Sequence, residues 1–556
     1  MVSIQKYCCV LWVFSLLVLV LPSPCSADDR GISSSRPNVL LIVADDLGYT
    51  DLGAFGSEIE TPTLDQLAME GLRFTNFTAA ASCSPTRAML MSGTDHHTAG
   101  LGNMIEKLAD NQLGKPGYEG YLSTRIRTVA SLLSDSGYLT YISGKWHLGG
   151  KPDQLPSSRG FSRSFVLLQG AAGHFDDTGP KASIPVSSFR DGNKPADWPK
   201  EKYSTDYYTD RLLGYLDERG SDDTPFFAYL AYTAPHWPLQ APKELIEHYK
   251  GRYDDGWDAL KSKRLERMRE LDSRADEYKS VKAPTYVAWD TLYAEEKAVE
   301  ARKMEVYAAM VDSMDDNVAR VIEKLKEHGD LENTIIIFLS DNGPEAKELN
   351  KVPDFGEHVA KFDNSLNSIG SINSFTFTGP GWASASNAYL RSFKGSVAEG
   401  GTRVPAFFWD GRLNSGGHIV RQPLHVKDIA PTILEAAGVH VPRSPYEHAG
   451  IKRSAMTGKS FLSLIENELI RIHDEQTVFA TELFGRRAVR TGDWKLVWEE
   501  VPWGKSDWEL FNLKDDPGET RDLALKEPKM LKELIHKWEI YEEEVGVIIP
   551  NELRGY

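Results

Sequence analysis

Four stretches of the chain are continuous apolar runs that stop abruptly at polar residues. NVLLIVADDLG (38–48) ends in Asp45 and Asp46, and TIIIFLSDNG (334–343) ends in Asp341 and Asn342. YLTYISGKWHLG (138–149) delivers Lys145 and His147, and PFFAYLAYTAPHWP (225–238) delivers His236. An apolar run without alternation is the pattern of a strand buried on both faces. Between these runs lie helical periodicities, as in STRIRTVASLLSDSG (123–137) and EVYAAMVDSMDDNVARVIEKLKEHG (305–329). Strands alternating with helices predict an α/β fold, a large and mainly parallel sheet covered by helices on both faces. Ligands in such sheets bind outside the carboxyl ends of the strands, so the four polar clusters are expected to meet at one edge.

The pattern changes after residue 470. AVRTGDWKLVW (488–498) and DWELFNL (507–513) alternate as antiparallel strands do, with turn residues at Gly492-Asp493 and DDPGE (515–519), and a helix is expected from Pro528 to Val545. This predicts a catalytic domain over 28–470 and a small C-terminal α+β domain over 471–556. The charged stretch 244–302 reads as a helical insertion with solvated faces that helps shape the pocket mouth. Together with the loop 171–200, it is expected to set specificity.

Residues 1–27 carry Lys6, an apolar run from Tyr7 to Leu21 and then small residues, the pattern of a secretory signal cleaved near Ala27. Export to a periplasm or the medium follows from that reading. An uncleaved anchor and lipidation at Cys25 are the alternatives. The formal charge of −17 becomes −18 when Lys6 leaves with the leader, a poor balance for a nucleic-acid partner. No later stretch is apolar and long enough to hold the mature chain in a membrane.

Three of the four cysteines fall in the leader, which leaves Cys83 with no partner for an intramolecular disulfide. A small buried core residue is the ordinary role of a lone cysteine. Here, however, Ser84 suits an N-cap and Pro85 a first helical position, which places Cys83 at a helix N-terminus where the dipole lowers a thiol pKa. Arg87, one turn on, is placed to reach back toward Cys83. Asp45, Asp46, Asp341 and Asn342 are hard oxygen donors, suited to Ca²⁺ or Mg²⁺ rather than zinc.

CSPTR (83–87) matches C-x-P-x-R, and with NVLLIVADDLGY, GYLTYISGKWHLG, TAPHWPLQAP, SDNG and SFKGSVAEGGTRVP (392–405) the chain resembles the formylglycine-dependent (type I) sulfatases over most of its length. MSGTDHHTAGLGNM (91–104) with PGYEGYLS is most similar to bacterial arylsulfatases. The resemblance implies an alkaline-phosphatase-like fold and a sulfuric ester hydrolase acting on a small sulfated substrate, an aryl sulfate. It implies oxidation of Cys83 to Cα-formylglycine by a formylglycine-generating enzyme. The hydrated aldehyde is the implied nucleophile, acting through a sulfoenzyme intermediate. It further implies one Ca²⁺, with Mg²⁺ as the lesser choice, held by Asp45, Asp46, Asp341, Asn342 and the modified Cys83. In the same way Arg87 would stabilise the nucleophile, and Lys145 and Lys394 would bind sulfate oxygens. His147 would remove the second hydroxyl's proton, His236 would assist the leaving oxygen, and Asp341 would accept the diol proton.

A phosphonate monoester or phosphodiester hydrolase, a carbohydrate sulfatase and a silent binder of sulfated ligands remain as alternatives. His96 and His97 are expected in a structural or pocket-rim role. Asn76 opens the sequon NFT, placed where the chain is expected to be buried.

Overall fold

The computed structural model describes residues 36–220, 223–272, 278–281, 285–413, 417–467 and 469–552; the expected leader and Cys25 lie outside them. The apolar runs become strands. In chain order these are β1 (Asn38–Ala44), β2 (Leu72–Phe74), β3 (Leu139–Lys145), β4 (Arg163–Leu167), β5 (Phe189–Asp191), β6 (Lys194–Ala196), β7 (Phe226–Ala231), β8 (Thr334–Ser340), β9 (Ala406–Asp410) and β10 (His418–Val420). They form one ten-stranded sheet in the order β10-β2-β9-β8-β1-β7-β3-β4-β5-β6. The central five, β8-β1-β7-β3-β4, run parallel. β9 pairs antiparallel with β8 and β2 on one side, and β5 with β4 and β6 on the other. The sheet is therefore mixed, with its parallel part at the centre.

Burial explains the uninterrupted runs. All seven residues of β1 are buried: Leu40 and Ile42 enter one apolar layer, while Val39, Leu41 and Val43 enter the other. Residues of Ser204–Arg219 and Ala294–Glu327 join the first layer, and those of Val129–Asp135 and Ile429–Ala436 the second. Two desolvated faces leave no position where a polar side chain is favoured until the strand ends.

Register then sets the height of each strand end. Ala44 pairs with Ser340, Val43 with Ala231, and Ala231 with Gly144. The residues that follow, Asp45, Asp341 and Lys145, therefore emerge side by side at the carboxyl edge.

The stretch 244–302 differs from its sequence reading. Its helix Gly256–Leu271 buries Trp257, Leu260, Leu265 and Met268 in the first apolar layer. Arg264 is fully buried and ion-paired with Asp51 and Glu58, so part of the charge is a buried network rather than a solvated face. β11 (Val478–Leu483), β12 (Arg486–Thr491), β13 (Trp494–Trp498) and β14 (Trp508–Asn512) form the expected antiparallel sheet, packed by Leu534 and Trp538 of the helix Pro528–Val545. The described residues form one compact unit. Among the described residues no helix is long and apolar enough to cross a membrane.

Candidate active site

Cys83 opens the helix α1 (Cys83–Ser92), whose residues are all buried. The helix starts earlier than Pro85 suggests. Ser82 is the N-cap, without a side-chain capping bond, and Pro85 sits at the third helical position. The first-turn N–H groups have no intrahelical acceptor, so proline costs little there. The Thr86 hydroxyl anchors this end by accepting from the Ala80 N–H (2.9 Å).

Around Cys83 the strand ends converge. Its Sγ lies 3.5 Å from Asp45 Oδ1 and 3.9 Å from Asp46 Oδ1. Lys145 Nζ donates to Asp45 Oδ2 (2.6 Å) and Lys394 Nζ to Asp46 Oδ2 (2.8 Å). Arg87 does not hydrogen-bond the thiol, as its helical spacing had suggested. Its Nε donates to Asp341 Oδ2 (2.9 Å), and its Nη1 donates to the Lys145 carbonyl (2.9 Å) and the Tyr229 hydroxyl (3.3 Å). His236 Nε2 is 3.5 Å from Asp46 Oδ2, while its Nδ1–H donates to the Trp237 carbonyl (2.7 Å). Three buried carboxylates thus face three buried cations.

The backbone is bent to make this possible. Asp46 and His147 adopt φ of 66° and 55°, left-handed values that side chains other than glycine rarely take. Asp46 is held there by Asn342 Nδ2, which donates to its Oδ1 (2.7 Å), and by its own N–H to Asp341 Oδ1 (3.3 Å). Gly144, before Lys145, has φ of 118°, and a Cβ there would stand 1.8 Å from the Ala231 carbonyl oxygen.

Burial and charge shift the site's protonation. Burial opposes ionisation of Asp45, yet Lys145, then His236 and Arg87, hold its carboxyl well below the usual range. Burial pushes Asp46 up to about 7; Lys394 opposes this, and Asp45, Glu345 and Asp341 reinforce it. Asp341 is raised by burial and by Asp45, against Arg87 and Lys145. Burial lowers the His236 imidazole well below its ordinary value, against the pull of Asp45. The Cys83 thiol is pushed far up by burial and by Asp341, the reverse of the shift expected from a helix dipole. Desolvating a thiolate completely outweighs the partial charge at the end of a helix. As a thiol, Cys83 is a weak nucleophile at neutral pH.

The donor set fits a hard dication. Asp45, Asp46 and Asp341 bring carboxylate oxygens together, and Asn342 Oδ1 is buried with no hydrogen-bond partner. Ligand atoms of Asp45, Asp46, Cys83 and His236 lie within 4.8 Å of one another. An orphaned amide oxygen beside crowded carboxylates is the arrangement a Ca²⁺ would satisfy.

Above Cys83 opens a cavity of about 120 Å³ whose lining includes His147, His236, Lys394, Trp237, Phe355 and Met104. The loop 171–200 supplies Ala171, Pro180, Lys181 and Ile184 to its wall, whereas no described residue of 244–302 is among the lining. His147 Nε2 pairs with Glu106 Oε1 (3.2 Å), and Gly170 lets the imidazole approach, since a Cβ there would lie 2.7 Å from His147 Cε1.

Several positioning groups had no signal in the sequence. Glu106 belongs to none of the quoted clusters, and Tyr229, inside the apolar run 225–238, carried no mark of a site role. The Lys394 loop is gripped by the C-terminal sheet: Glu499 Oε1 accepts from the Ser396 hydroxyl (2.7 Å) and the Val397 N–H (2.9 Å), and Arg486 Nη1 donates to the Gly395 carbonyl (2.5 Å). His96 and His97 are fully buried and do not line the cavity; His97 bridges Asp95 and Glu482. Asn76 is half-buried, with both ends of its amide engaged by Arg490 Nη1 (2.7 Å) and the Arg421 carbonyl (3.2 Å).

Comparison with known proteins agrees with the family resemblance. The sequence model described as Sulfatase matches residues 37–439. An uncharacterised sulfatase of Schizosaccharomyces pombe is 43% identical over 94% of this chain and 96% of its own length. An arylsulfatase of Klebsiella aerogenes is 35% identical over 74% of this chain and 88% of its own. In fold, the crystal structure of Ps i-CgsB in complex with k-i-k-neocarrahexaose superposes with a TM-score of 0.64 at 24% identity, covering 91% of this chain and 93% of that one.

Proposed function

The chain belongs to the sulfatase family, and on that premise we propose that it hydrolyses aryl sulfates at the Cys83 cavity, releasing a phenol and sulfate. The observation that carries the aryl assignment is the wall above Cys83. Trp237, Phe355, Leu349, Met104 and Ile184 give an apolar, partly aromatic share of the lining to a cavity that also holds Cys83 and charged residues such as Lys394. An aryl sulfate has the same division, a flat apolar body and one anionic end. The 35% identity to the Klebsiella arylsulfatase supports the same reading.

Family members generally use formylglycine and a Ca²⁺ site. Formylglycine at position 83 would replace a thiol that stays protonated with a hydrated oxygen nucleophile, and a maturation enzyme of the formylglycine-generating class would be its partner. Ca²⁺ bound by Asp45, Asp46, Asp341 and Asn342 would neutralise and orient the ester oxygens.

The remaining work falls to the chain's own residues. Arg87, Lys145 and Lys394 already balance Asp45, Asp46 and Asp341. A dication therefore leaves an excess of positive charge that matches the sulfate group at the point where its charge grows. Asp341, its carboxyl raised by burial, is suited to take a proton from the nucleophile. His236 presents Nε2 to the cavity, where an anionic ester beside it raises its basicity and readies it to donate to the departing phenol oxygen. His147, paired with Glu106, stands at the cavity wall as the base that frees sulfate. We read residues 1–27 as an export signal and propose on that basis that the enzyme acts outside the cytoplasm.

Matched assays test the assignment. Protein produced with a formylglycine-generating enzyme should hydrolyse 4-nitrophenyl sulfate with a much higher kcat/KM than N-acetylglucosamine 6-sulfate. The reverse order would make it a carbohydrate sulfatase.

A further inference from the structure

We propose that Asp354 is a specificity-determining residue. It clasps a hairpin to the wall of the Cys83 cavity, and the closed clasp makes the enzyme prefer one-ring aryl sulfates to larger ones. This rests on the arylsulfatase reading and narrows it to a substrate class.

The loop 171–200, which the sequence marks for specificity, contains a small antiparallel hairpin, Thr178–Lys181 with Ile184–Val186. Gly179 permits the tight pairing, since a Cβ there would lie 2.0 Å from the Ile184 carbonyl oxygen. Pro180, Lys181 and Ile184 of this hairpin line the cavity, and so does Phe355 of the helix Pro353–Val359.

Asp354, the neighbour of Phe355, ties these two parts of the wall together across 171 residues of sequence. Its Oδ1 accepts from the Ser183 N–H (2.9 Å), and its Oδ2 accepts from the Ser183 hydroxyl (2.7 Å). The Lys181 ammonium stands 3.0 Å from Oδ2, and the Asp354 carbonyl accepts from the Ala182 N–H (3.2 Å). One residue thus holds three successive positions at the turn of the hairpin.

The two parts of the wall are not equally firm. Phe355 packs with Trp237, Leu349 and Phe375 in an apolar cluster. No residue of the hairpin joins an apolar cluster among the described residues, and its Val186 is 56% exposed. The hairpin therefore depends on its polar contacts, and it is the side that can give. Lys181 and Asp354 are partly exposed, so their ion pair is weak and the hydrogen bonds to Ser183 and Ala182 carry much of the hold. Such a clasp closes over a ring that fits and has to be forced by one that does not. Cys83 and Lys145 are carried by α1 and β3, so loosening the hairpin changes the room for the ring and leaves the nucleophile's surroundings in place.

The experiment compares 4-nitrophenyl sulfate, with one ring, and 4-methylumbelliferyl sulfate, with two fused rings, on wild-type enzyme, Asp354→Ala and Asp354→Asn. The ratio of the two kcat/KM values is taken on each preparation. Differences in leaving group and in the fraction of converted Cys83 then cancel between enzymes. Amide hydrogen exchange of Ala182 and Ser183 is followed on the same proteins. The proposal expects Asp354→Ala to raise the two-ring to one-ring ratio about fivefold or more, to act on 4-nitrophenyl sulfate mainly through KM, and to speed exchange at both amides. Asp354→Asn, whose side chain can still bond Ser183, should fall between wild type and Asp354→Ala. A ratio in Asp354→Ala within about twofold of wild type, or below it, overturns the clasp as a specificity device and leaves the arylsulfatase reading standing. Hydrolysis of neither sulfate by wild-type enzyme overturns that reading and the specificity role with it.

Discussion

Calcium affinity should rise with pH up to about neutrality and level off above it, because the metal must displace a proton from Asp46. That carboxyl is pushed up to about 7 by burial, against Lys394 and with the repulsion of Asp45, Glu345 and Asp341. Chelated protein at pH 6 then holds Asp46 ionised in about a tenth of molecules, and at pH 8 in about nine-tenths. The apparent affinity changes by about tenfold, or about 1.4 kcal/mol. The unfolded chain ionises Asp46 near the ordinary 3.8. Between that value and 7 the folded protein binds the extra proton, so this group makes the chelated protein less stable as pH rises. Calcium should therefore protect most at the alkaline end. Calorimetric titration of chelated protein in two buffers of different ionisation enthalpy measures both affinity and proton release. An affinity that is flat from pH 6 to 8, without proton release, would refute the reasoning.

Three further outcomes follow from the same geometry. Arg87→Ala strands Asp341 as a buried, uncompensated carboxylate, for a loss of about 3–5 kcal/mol in denaturant unfolding, and Arg87→Lys should recover part of it; a loss under about 1 kcal/mol would contradict the pairing. His97 is raised to about 9, burial being overcome by Asp95 and Glu482. Its stabilisation is complete below about 6.5 and lost as pH rises through 9, about 3 kcal/mol that His97→Gln should remove from the pH profile of thermal unfolding; an unchanged profile would count against it. Glu499→Gln loosens the hold on residues 396–397 and so shifts Lys394; kcat should fall about tenfold to a hundredfold with calcium affinity little changed, and an unaltered kcat would reject that positioning role.

How much of this could be read beforehand depended on the range of the interaction. Parallel strands buried on both faces write themselves as unbroken apolar runs, so β1, β3, β7 and β8 and their polar ends were visible, and the carboxyl-edge rule brought the ends together. The Lys394 loop carries no such periodicity and was found only through the family motif. Glu106, Tyr229, Arg486 and Glu499 act across tens to hundreds of residues, where no local pattern marks a partner. The charged stretch 244–302 misled because Arg264 satisfies its charge with Asp51 and Glu58 inside the fold. The thiol of Cys83 misled for a different reason: a helix end can be inferred from Ser and Pro, whereas complete burial, which outweighs the dipole, is a property of the assembled layers.

The most direct test of the central claim joins chemistry to position 83. Protein made with a formylglycine-generating enzyme is digested, the peptide containing residue 83 is weighed, and kcat/KM is measured on 4-nitrophenyl sulfate, 4-nitrophenyl phosphate and phenylphosphonate esters. An aldehyde at position 83 together with a large preference for the sulfate ester, abolished in Cys83→Ala, is the result the account predicts. A preference for the phosphorus esters, or undiminished sulfatase activity with an intact thiol at position 83, would contradict it.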